Sequence, residues 1–267
     1  MKVVKVIVFS LWKIEDGACY ISEETKTFVA WQLLCYSSKM FWGCEMIKEL
    51  DKAKSLSDRA FGNESSAFPE LFDLLQKIES PLLDAVRIVI CFENYFKAML
   101  LLENYVIHRM DLNVCRERFP QFITGKQKQL LQKSTPILLQ DIKQAENHDK
   151  VWSVEPLQSL TPQTIEISTL LGQPKYQAIY SKGKEIDDKL FPLLQELNRT
   201  RNSLHFLNVE YIASGGLGVD HFVFLRDYVL EHIDAYGEKF YKDNEGSIKT
   251  GKMEIENLDP EEYSGES

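Results

Sequence analysis

The order of hydrophobic and polar positions predicts a mainly helical chain. From residue 28 to about residue 54, bulky apolar side chains recur at helical spacing. A stronger signal starts at Ser80 and Pro81, because serine is a good N-cap and proline is tolerated at the first helical position. The stretch from there to Met110 contains no Gly and no further Pro, and it is apolar around most of the helix circumference. We therefore predict a long, largely buried central helix.

Two more helices are predicted in the second half of the chain. One spans about residues 186–209, and the other follows the glycine-containing stretch 214–218. Residues 111–185 are less regular and indicate an irregular middle insertion. Within it, alternating apolar positions on both sides of residues 172–175 are compatible with a small β-hairpin. The pattern leaves open whether residues 3–9 form a short strand or a buried N-terminal segment.

The composition indicates one helical domain and an acidic tail. With 267 residues, 44% of them apolar, the chain has enough material for a sizeable core. Its net charge is -9, but residues 253–267 contain six acidic and no basic side chains, which leaves -3 for residues 1–252. A local basic site is compatible with this mildly acidic body. We predict a single helical domain at residues 1–242 and a disordered acidic tail at residues 243–267.

Cysteine usage and apolar run lengths favour a soluble, cytoplasmic protein. The five cysteines are odd in number and show no metal-ligand spacing, so we expect reduced thiols and no bound metal. The apolar run at residues 6–12 is followed at once by charged residues and has no evident cleavage site, which argues against a signal peptide. No stretch reaches the roughly 18 apolar residues that a membrane span needs, so we expect no membrane partner.

The helix that contains the run NRTRNSLH carries an arginine and a histidine on its apolar side. At about 100° per residue from Leu190, five leucines form one stripe: Leu190, Leu193, Leu194, Leu197 and Leu204. Arg201 at about 20° and His205 at about 60° fall on the same side. Arg199 falls on the opposite side, at about 180°, and Asn202 on the flank, at about 120°. A charge on a buried stripe is costly unless it is paired or lines a polar cavity or subunit interface. One interpretation is therefore structural: Arg201 pairs with a carboxylate of a neighbouring helix, and His205 is a satisfied core histidine.

The stretch from Arg199 to His205 also resembles the signature of the HEPN superfamily (higher eukaryotes and prokaryotes nucleotide-binding). That signature is an Arg followed by four to six residues and a His, often with a polar residue directly after the Arg. Arg199 has the family spacing, with five intervening residues, whereas Arg201 is followed by the polar Asn202 but has only three. A continuous helix favours Arg201 as the partner of His205, and a break near Thr200 favours Arg199.

The earlier long helix adds to the resemblance. Residues 92–108 are similar to the first long helix of the family, in which a Glu and a Lys four apart precede a run of Ala and Leu; here these are Glu93 and Lys97. Glu93 and Lys97 either hold the site residues in position without touching the substrate, or they form an ordinary helix-stabilising ion pair. Leu207 stands where HEPN toxins regulated by a partner nucleotidyltransferase have the Tyr of a His-x-Tyr motif, so that variant is not matched.

The resemblance implies a HEPN-like antiparallel helical bundle that dimerises and acts as a metal-independent endoribonuclease without a cofactor. His205 then serves in acid–base catalysis, because an unperturbed histidine titrates near about pH 6.5. Arg201 or Arg199 holds the scissile phosphate, and Asn202 orients that arginine or the RNA. The implied partners are an RNA substrate, a second copy of the chain and a cognate antitoxin or regulatory protein, as in a prokaryotic toxin or anti-phage defence protein.

Two other interpretations stay open. The chain is a non-catalytic HEPN-like helical module that binds RNA, a nucleotide or a protein partner, or it is an unrelated all-helical scaffold that contains these motifs. The spacing of Arg201 and the acidic body favour the non-catalytic module over the enzyme. The surroundings of the arginine distinguish the two, since a catalytic pair should be open to solvent at a dimer seam. A non-catalytic Arg201 would instead pack against a carboxylate such as Glu93.

Overall fold

The computed structural model describes the chain in separate stretches. They are residues 13–15, 18–20, 22–77, 81–106, 108–109, 137–138, 163–164, 179, 189–203 and 218–256. The N-terminal segment at residues 3–9, most of the predicted insertion with its hairpin, and His205 lie outside these stretches. The predictions made for them stay predictions.

The described part of the chain is mainly helical, which confirms the predicted fold class at that level. The helices are α1 (Glu23–Trp42), α2 (Glu45–Lys48), α3 (Leu50–Phe61), α4 (Ala67–Lys77), α5 (Pro81–Leu102), α6 (Leu190–Ser203), α7 (Val219–Tyr228) and α8 (Ala235–Glu256). Between α7 and α8, residues Val229–Asp234 wind as a π-helix. The HEPN-like arrangement of these helices stays a prediction.

Short antiparallel strand pairs accompany the helices. A hairpin joins β1 (Lys13–Glu15) to β2 (Ala18–Tyr20). Directly after α5, β3 (Tyr105–Val106) pairs with β5 (Ile137–Leu138), and β4 (His108–Arg109) pairs with β6 (Gln163–Thr164). The residues that follow α5 therefore pair with strands drawn from the middle of the chain.

Helix α5 begins where the sequence predicts but ends earlier. It starts at Pro81, as predicted, and stops at Leu102 instead of reaching Met110. Asn104 adopts a left-handed conformation with φ 61°, and its N–H donates to the carbonyl oxygen of Leu101 at 3.0 Å. A left-handed Asn just past the last turn is a common way to end a helix. The predicted extension to residue 110 is wrong because this turn directs the chain into β3.

The chain divides into two compact units. The first comprises Met1–Leu33, Phe96–Leu170 and Phe240–Ser267; the second comprises Leu34–Tyr95 and Leu171–Lys239. The prediction of a single domain at residues 1–242 stays a prediction. Buried apolar side chains of the first unit include Phe28, Val29, Phe96, Leu100 and Ile248. Those of the second include Phe41, Leu50, Ile88, Phe92, Tyr95, Leu190, Leu194, Leu225 and Ile233.

In the first unit, the end of α8 is fastened to the start of α1. The hydroxyls of Ser22 and Thr25 both donate to the Glu254 carboxylate, the latter at 2.6 Å. A Cβ built at Gly251 would lie 2.1 Å from the carbonyl oxygen of Glu24, so the two helices are nearly in backbone contact there. The prediction that disorder begins at residue 243 is therefore wrong for residues 243–256, because long-range contacts order a segment whose composition indicated disorder. Residues 257–267 lie outside the described stretches.

In the second unit, the buried carboxylate of Asp84 organises the junction between α1 and α2. Asp84 is only 1% exposed and accepts hydrogen bonds from the backbone N–H groups of Glu45 at 3.0 Å and Met46 at 2.7 Å. These groups lie at the start of a helix, where N–H groups have no intrahelical acceptor. Arg87 Nη1 donates to the carbonyl oxygen of Gly43 at 2.8 Å. The apolar pattern predicted for residues 28 to 54 is therefore broken into separate helices at this point.

Candidate Arg/His site

Helix α6 carries the candidate motif, and its buried face matches the predicted stripe. Its buried leucines are Leu190, Leu193, Leu194 and Leu197. Leu204, the fifth residue of the predicted stripe, lies outside the described stretches. The helix continues through Thr200, whose hydroxyl donates to the carbonyl oxygen of Glu196 at 3.1 Å, and it is described to Ser203. The break near Thr200 that would favour Arg199 is therefore absent from this helix as described.

Arg201 is paired across the second unit with Glu93 of α5. Its Nη1 atom lies 3.0 Å from Glu93 Oε1, and the two side chains are 20% and 13% exposed. The structural expectation that Arg201 pairs with a carboxylate of a neighbouring helix is confirmed. A guanidinium and a carboxylate that are both largely withdrawn from water hold each other more firmly than an exposed pair does.

Arg199 is in a different environment. Its side chain is 65% exposed, and its Nη1 atom lies 3.0 Å from Oε2 of Glu196, three residues back on α6. An exposed pair of this kind contributes little to stability, because water and salt screen it. Arg199 and Arg201 are two positions apart on α6, which turns the two side chains about 160° away from each other. The side chain of Arg199 is therefore mostly exposed to water, whereas that of Arg201 is held against α5 by its ion pair.

The remaining predicted residues are placed only in part. Asn202 belongs to α6, but its side chain is not among those described. Lys97 lies on α5 and is buried, at 4% exposure. His205 lies outside the described stretches, two residues beyond the last described residue of α6. Of the candidate residues, the structure thus joins Arg201 to Glu93.

Asn198 is a further polar residue of α6 that the sequence analysis did not single out. It is 7% exposed, and its Oδ1 atom has no hydrogen-bond partner within the described part of the chain. A buried amide oxygen without a partner is costly, so such an atom is a place where a water molecule or a ligand donor can bind. The sequence could have indicated Asn198 by its position on the helical wheel. It lies at about 80°, one turn before Arg201 and at the edge of the leucine stripe.

Two buried cysteines of the second unit, Cys44 and Cys91, are unsuited to nucleophilic chemistry at neutral pH. Cys35, Cys44 and Cys91 are free thiols. Burial raises the pKa of Cys44 to about 12, with a smaller contribution from the nearby Asp84 carboxylate. Burial also raises the pKa of Cys91 well above its ordinary value. Because the thiolate is the reactive form, Cys44 and Cys91 are structural side chains.

The stretches that the structure describes contain neither a candidate metal cluster nor a candidate membrane-spanning helix. There, no group of three or more His, Cys, Asp or Glu side chains is arranged to hold a metal ion. Among the same residues, no helix combines the length and the apolar character needed to cross a bilayer.

Comparison of the chain with protein-family models, with curated proteins and with solved structures found no match. The resemblance to HEPN proteins therefore depends on the motif residues themselves: the Arg and His run of α6, and Glu93 and Lys97 on α5.

Proposed function

We propose that the chain is a metal-independent endoribonuclease of HEPN type, in which Arg201, held by Glu93, binds the scissile phosphate and His205 transfers protons. The unbroken course of α6 through Arg201 is the observation that carries this assignment of roles. Along a helix, Arg201 lies about one turn before position 205, whereas Arg199 faces the other way. Of the two candidates in the motif, we therefore assign the phosphate to Arg201.

The ion pair with Glu93 is the contact expected of a non-catalytic Arg201, yet it leaves donors of the guanidinium with which a phosphate can be bound. A guanidinium has five N–H donors, and the described contact with Glu93 uses Nη1. The other donors can hold two phosphate oxygens in a bidentate way, while Glu93 fixes the orientation of the side chain. An arginine that is oriented before substrate arrives needs less reorganisation when negative charge develops on the phosphate.

The chemistry needs only these residue types and the RNA itself. The ribose 2′-oxygen attacks the adjacent phosphorus as its proton passes to a base, and the bond from phosphorus to the 5′-oxygen breaks as that oxygen receives a proton. The products are a 2′,3′-cyclic phosphate and a 5′-hydroxyl. Histidine suits both proton transfers because its unperturbed pKa is about 6.5. Arg201 stabilises the additional negative charge on the phosphate.

The biological setting belongs to the same proposal. A second copy of the chain would bring two Arg/His pairs together, and a cognate antitoxin or regulatory protein would restrain the activity in a prokaryotic toxin or anti-phage defence protein.

A second candidate function is supported by the same ion pair. Glu93 offsets the charge of Arg201 and occupies part of its guanidinium, and a carboxylate competes with phosphate for those donors. Packing of Arg201 against Glu93 is the arrangement expected of a non-catalytic HEPN-like module. In that case α6 belongs to a site that binds RNA, a nucleotide or a protein partner without cutting it.

The test is cleavage of a mixed tRNA and mRNA pool in EDTA by the wild-type chain, Arg201→Ala and Arg199→Ala. Cutting by the wild type that leaves 2′,3′-cyclic phosphate ends, and that falls by about 100-fold or more in Arg201→Ala alone, supports the enzyme and its assigned arginine. A loss confined to Arg199→Ala transfers the role to Arg199. Salt-dependent RNA binding by a folded wild-type chain that leaves all RNA intact supports the second candidate.

A further inference from the structure

Helices α3 and α4 present an apolar patch to solvent, here called the Phe patch. It consists of Phe61, Phe68, Phe72 and Leu75, with exposed fractions of 76%, 45%, 63% and 37%. The rings of Phe61 and Phe68 meet edge to face with centroids 5.3 Å apart, so the patch is continuous across the two helices. Single exposed apolar residues are ordinary, but a contiguous group with three aromatic rings marks an interaction surface.

The Phe patch is additional to the face that α4 uses for folding. Ala67, Leu71 and Leu74 are buried and form the face of α4 that packs inward. On a helical wheel, the exposed residues of the patch lie at about 80° to 140° from Ala67, beside that buried face. The apolar arc of α4 is therefore more than twice as wide as the buried face that packs inward.

The turn between α3 and α4 holds the patch in a fixed shape. Arg59 Nε donates to Glu64 Oε2 at 2.8 Å, and the N–H of Glu64 donates to the carbonyl oxygen of Arg59 at 3.0 Å. Asn63 has φ 79°, and a Cβ built at Gly62 would lie 2.7 Å from the carbonyl oxygen of Asp58. A surface that is already ordered loses little conformational entropy when it is covered, which favours association.

The charges around the patch suit a second copy of the same chain. Within the described residues of α3, α4 and the turn between them, five charged side chains that flank the patch sum to a net charge of -1: Arg59, Lys77, Glu64, Glu70 and Asp73. They are paired within the chain, with Lys77 Nζ 2.6 Å from Asp73 and Arg59 Nη1 3.8 Å from Glu70. The whole chain carries -9, so two copies repel each other in general but meet little repulsion here. A polyanion would find no excess of positive charge on this rim.

The size of the patch fits the centre of a protein interface. The three phenylalanines together expose an area of the order of 350 Å². A standard interface buries about 800 Å² on each partner, with an apolar core surrounded by a polar rim. The patch accounts for about half of that area, and the paired charges around it supply the rim.

We propose that the Phe patch is the core of a two-fold interface between two copies of this chain. In such an interface each patch packs on the same patch of the partner, as is usual in homodimers. The second copy is the one that the proposed function already requires, so the inference rests on that function and adds the surface through which the two copies meet. The mass in solution tests this surface, whereas RNA cleavage in EDTA tests the chemistry, so either proposal can fail without the other.

The test is the mass of the full-length chain in solution, measured by sedimentation equilibrium over a range of concentrations. The variants are the double substitution Phe61→Glu with Phe72→Glu and the matched control Leu230→Glu, since Leu230 is also an exposed apolar residue, at 46%, outside the patch. We expect a wild-type dimer, a dissociation constant at least about 100-fold higher in the double variant, and an unchanged constant in the control. Circular dichroism establishes that each variant is folded.

Two results would overturn the proposal. One is a wild-type chain that stays monomeric at about 100 μM, a concentration at which a two-fold contact of this size should be populated. The other is a folded double variant that dimerises as tightly as the wild type, which would place the interface elsewhere. If the double variant does not fold, Phe61→Ser replaces it, because Phe61 is 76% exposed and contributes little to the core. An unchanged dissociation constant in that folded variant would overturn the proposal equally.

Discussion

Arg201 of α6 and Glu93 of α5 form a 3.0 Å ion pair in which both side chains are largely withdrawn from water. This contact explains why an arginine lies on the leucine face of α6, where an unpaired charge would be costly. It also joins the two sequence regions that resemble HEPN proteins. The proposed site is thus built on a contact between two long helices.

Glu93→Ala should lower the free energy of unfolding by about 1–3 kcal/mol, because it leaves the guanidinium of Arg201 without its carboxylate in a poorly solvated position. The matched control is Glu196→Ala, which removes the partner of the 65% exposed Arg199 and should change stability by less than about 0.5 kcal/mol. Urea unfolding of the three proteins measures both values. Equal effects of the two substitutions would show that Arg201 is no better shielded from water than Arg199.

Gly251→Ala should destabilise the chain by about 1–3 kcal/mol or more, because the new Cβ would lie 2.1 Å from the backbone oxygen of Glu24 and push α8 away from α1. Gly246→Ala on the same helix has no atom within 4 Å of its Cβ and should stabilise the chain by about 0.5–1 kcal/mol. Thermal unfolding of both variants tests the pair. A Gly251→Ala variant as stable as Gly246→Ala would contradict the close approach of α8 to Glu24.

Asp84→Ala should lower the free energy of unfolding by about 2–4 kcal/mol, because it removes the carboxylate that accepts from the part-buried N–H of Glu45 and the buried N–H of Met46. Asp58→Ala provides the contrast, since Asp58 lies in an exposed ion pair with Lys54 on α3. The measurement is again urea unfolding. A loss from Asp84→Ala that is no larger than the loss from Asp58→Ala would remove the structural role assigned to Asp84.

Alkaline pH should weaken the fold through the buried thiol of Cys44. Its pKa is raised to about 12 in the folded chain, whereas an unfolded cysteine titrates near about 8.5. The folded state therefore retains this proton more tightly. The associated stability is complete below about pH 8.5 and is lost as pH rises toward 12, by up to about 1.4 kcal/mol per pH unit. The free energy of unfolding should fall less steeply between pH 9 and 11 in Cys44→Ala than in the wild type; parallel slopes would contradict the shift.

The sequence predicted those features that depend on local pattern. Ser80 and Pro81 indicated the start of α5, which begins at Pro81, and the leucine spacing of α6 indicated its buried face. The same wheel placed Arg201 on the leucine stripe, where its charge requires an ion-pair partner, a polar cavity or a subunit interface. Glu93 is the carboxylate against which a non-catalytic Arg201 was expected to pack, and the structure pairs the two.

Other features depend on contacts between distant parts of the chain, which composition does not reveal. The order of residues 243–256 depends on Gly251 and Glu254 meeting the start of α1. The end of α5 at Leu102 depends on the left-handed turn at Asn104, which the spacing of apolar residues does not predict. The unpartnered oxygen of Asn198 is visible only once the neighbouring helices are packed around it.

The most direct test of the central claim is the rate of RNA cleavage in EDTA by the wild type, His205→Ala and His221→Ala. His221 is a suitable control because it is exposed and its Nδ1 atom accepts a hydrogen bond from the N–H of Gly218, at the start of α7. We predict that the wild type and His221→Ala cut RNA at similar rates, and that His205→Ala is slower by about 100-fold or more. A folded wild-type chain that leaves RNA intact, or a His205→Ala variant that cuts as fast as the wild type, would contradict the claim.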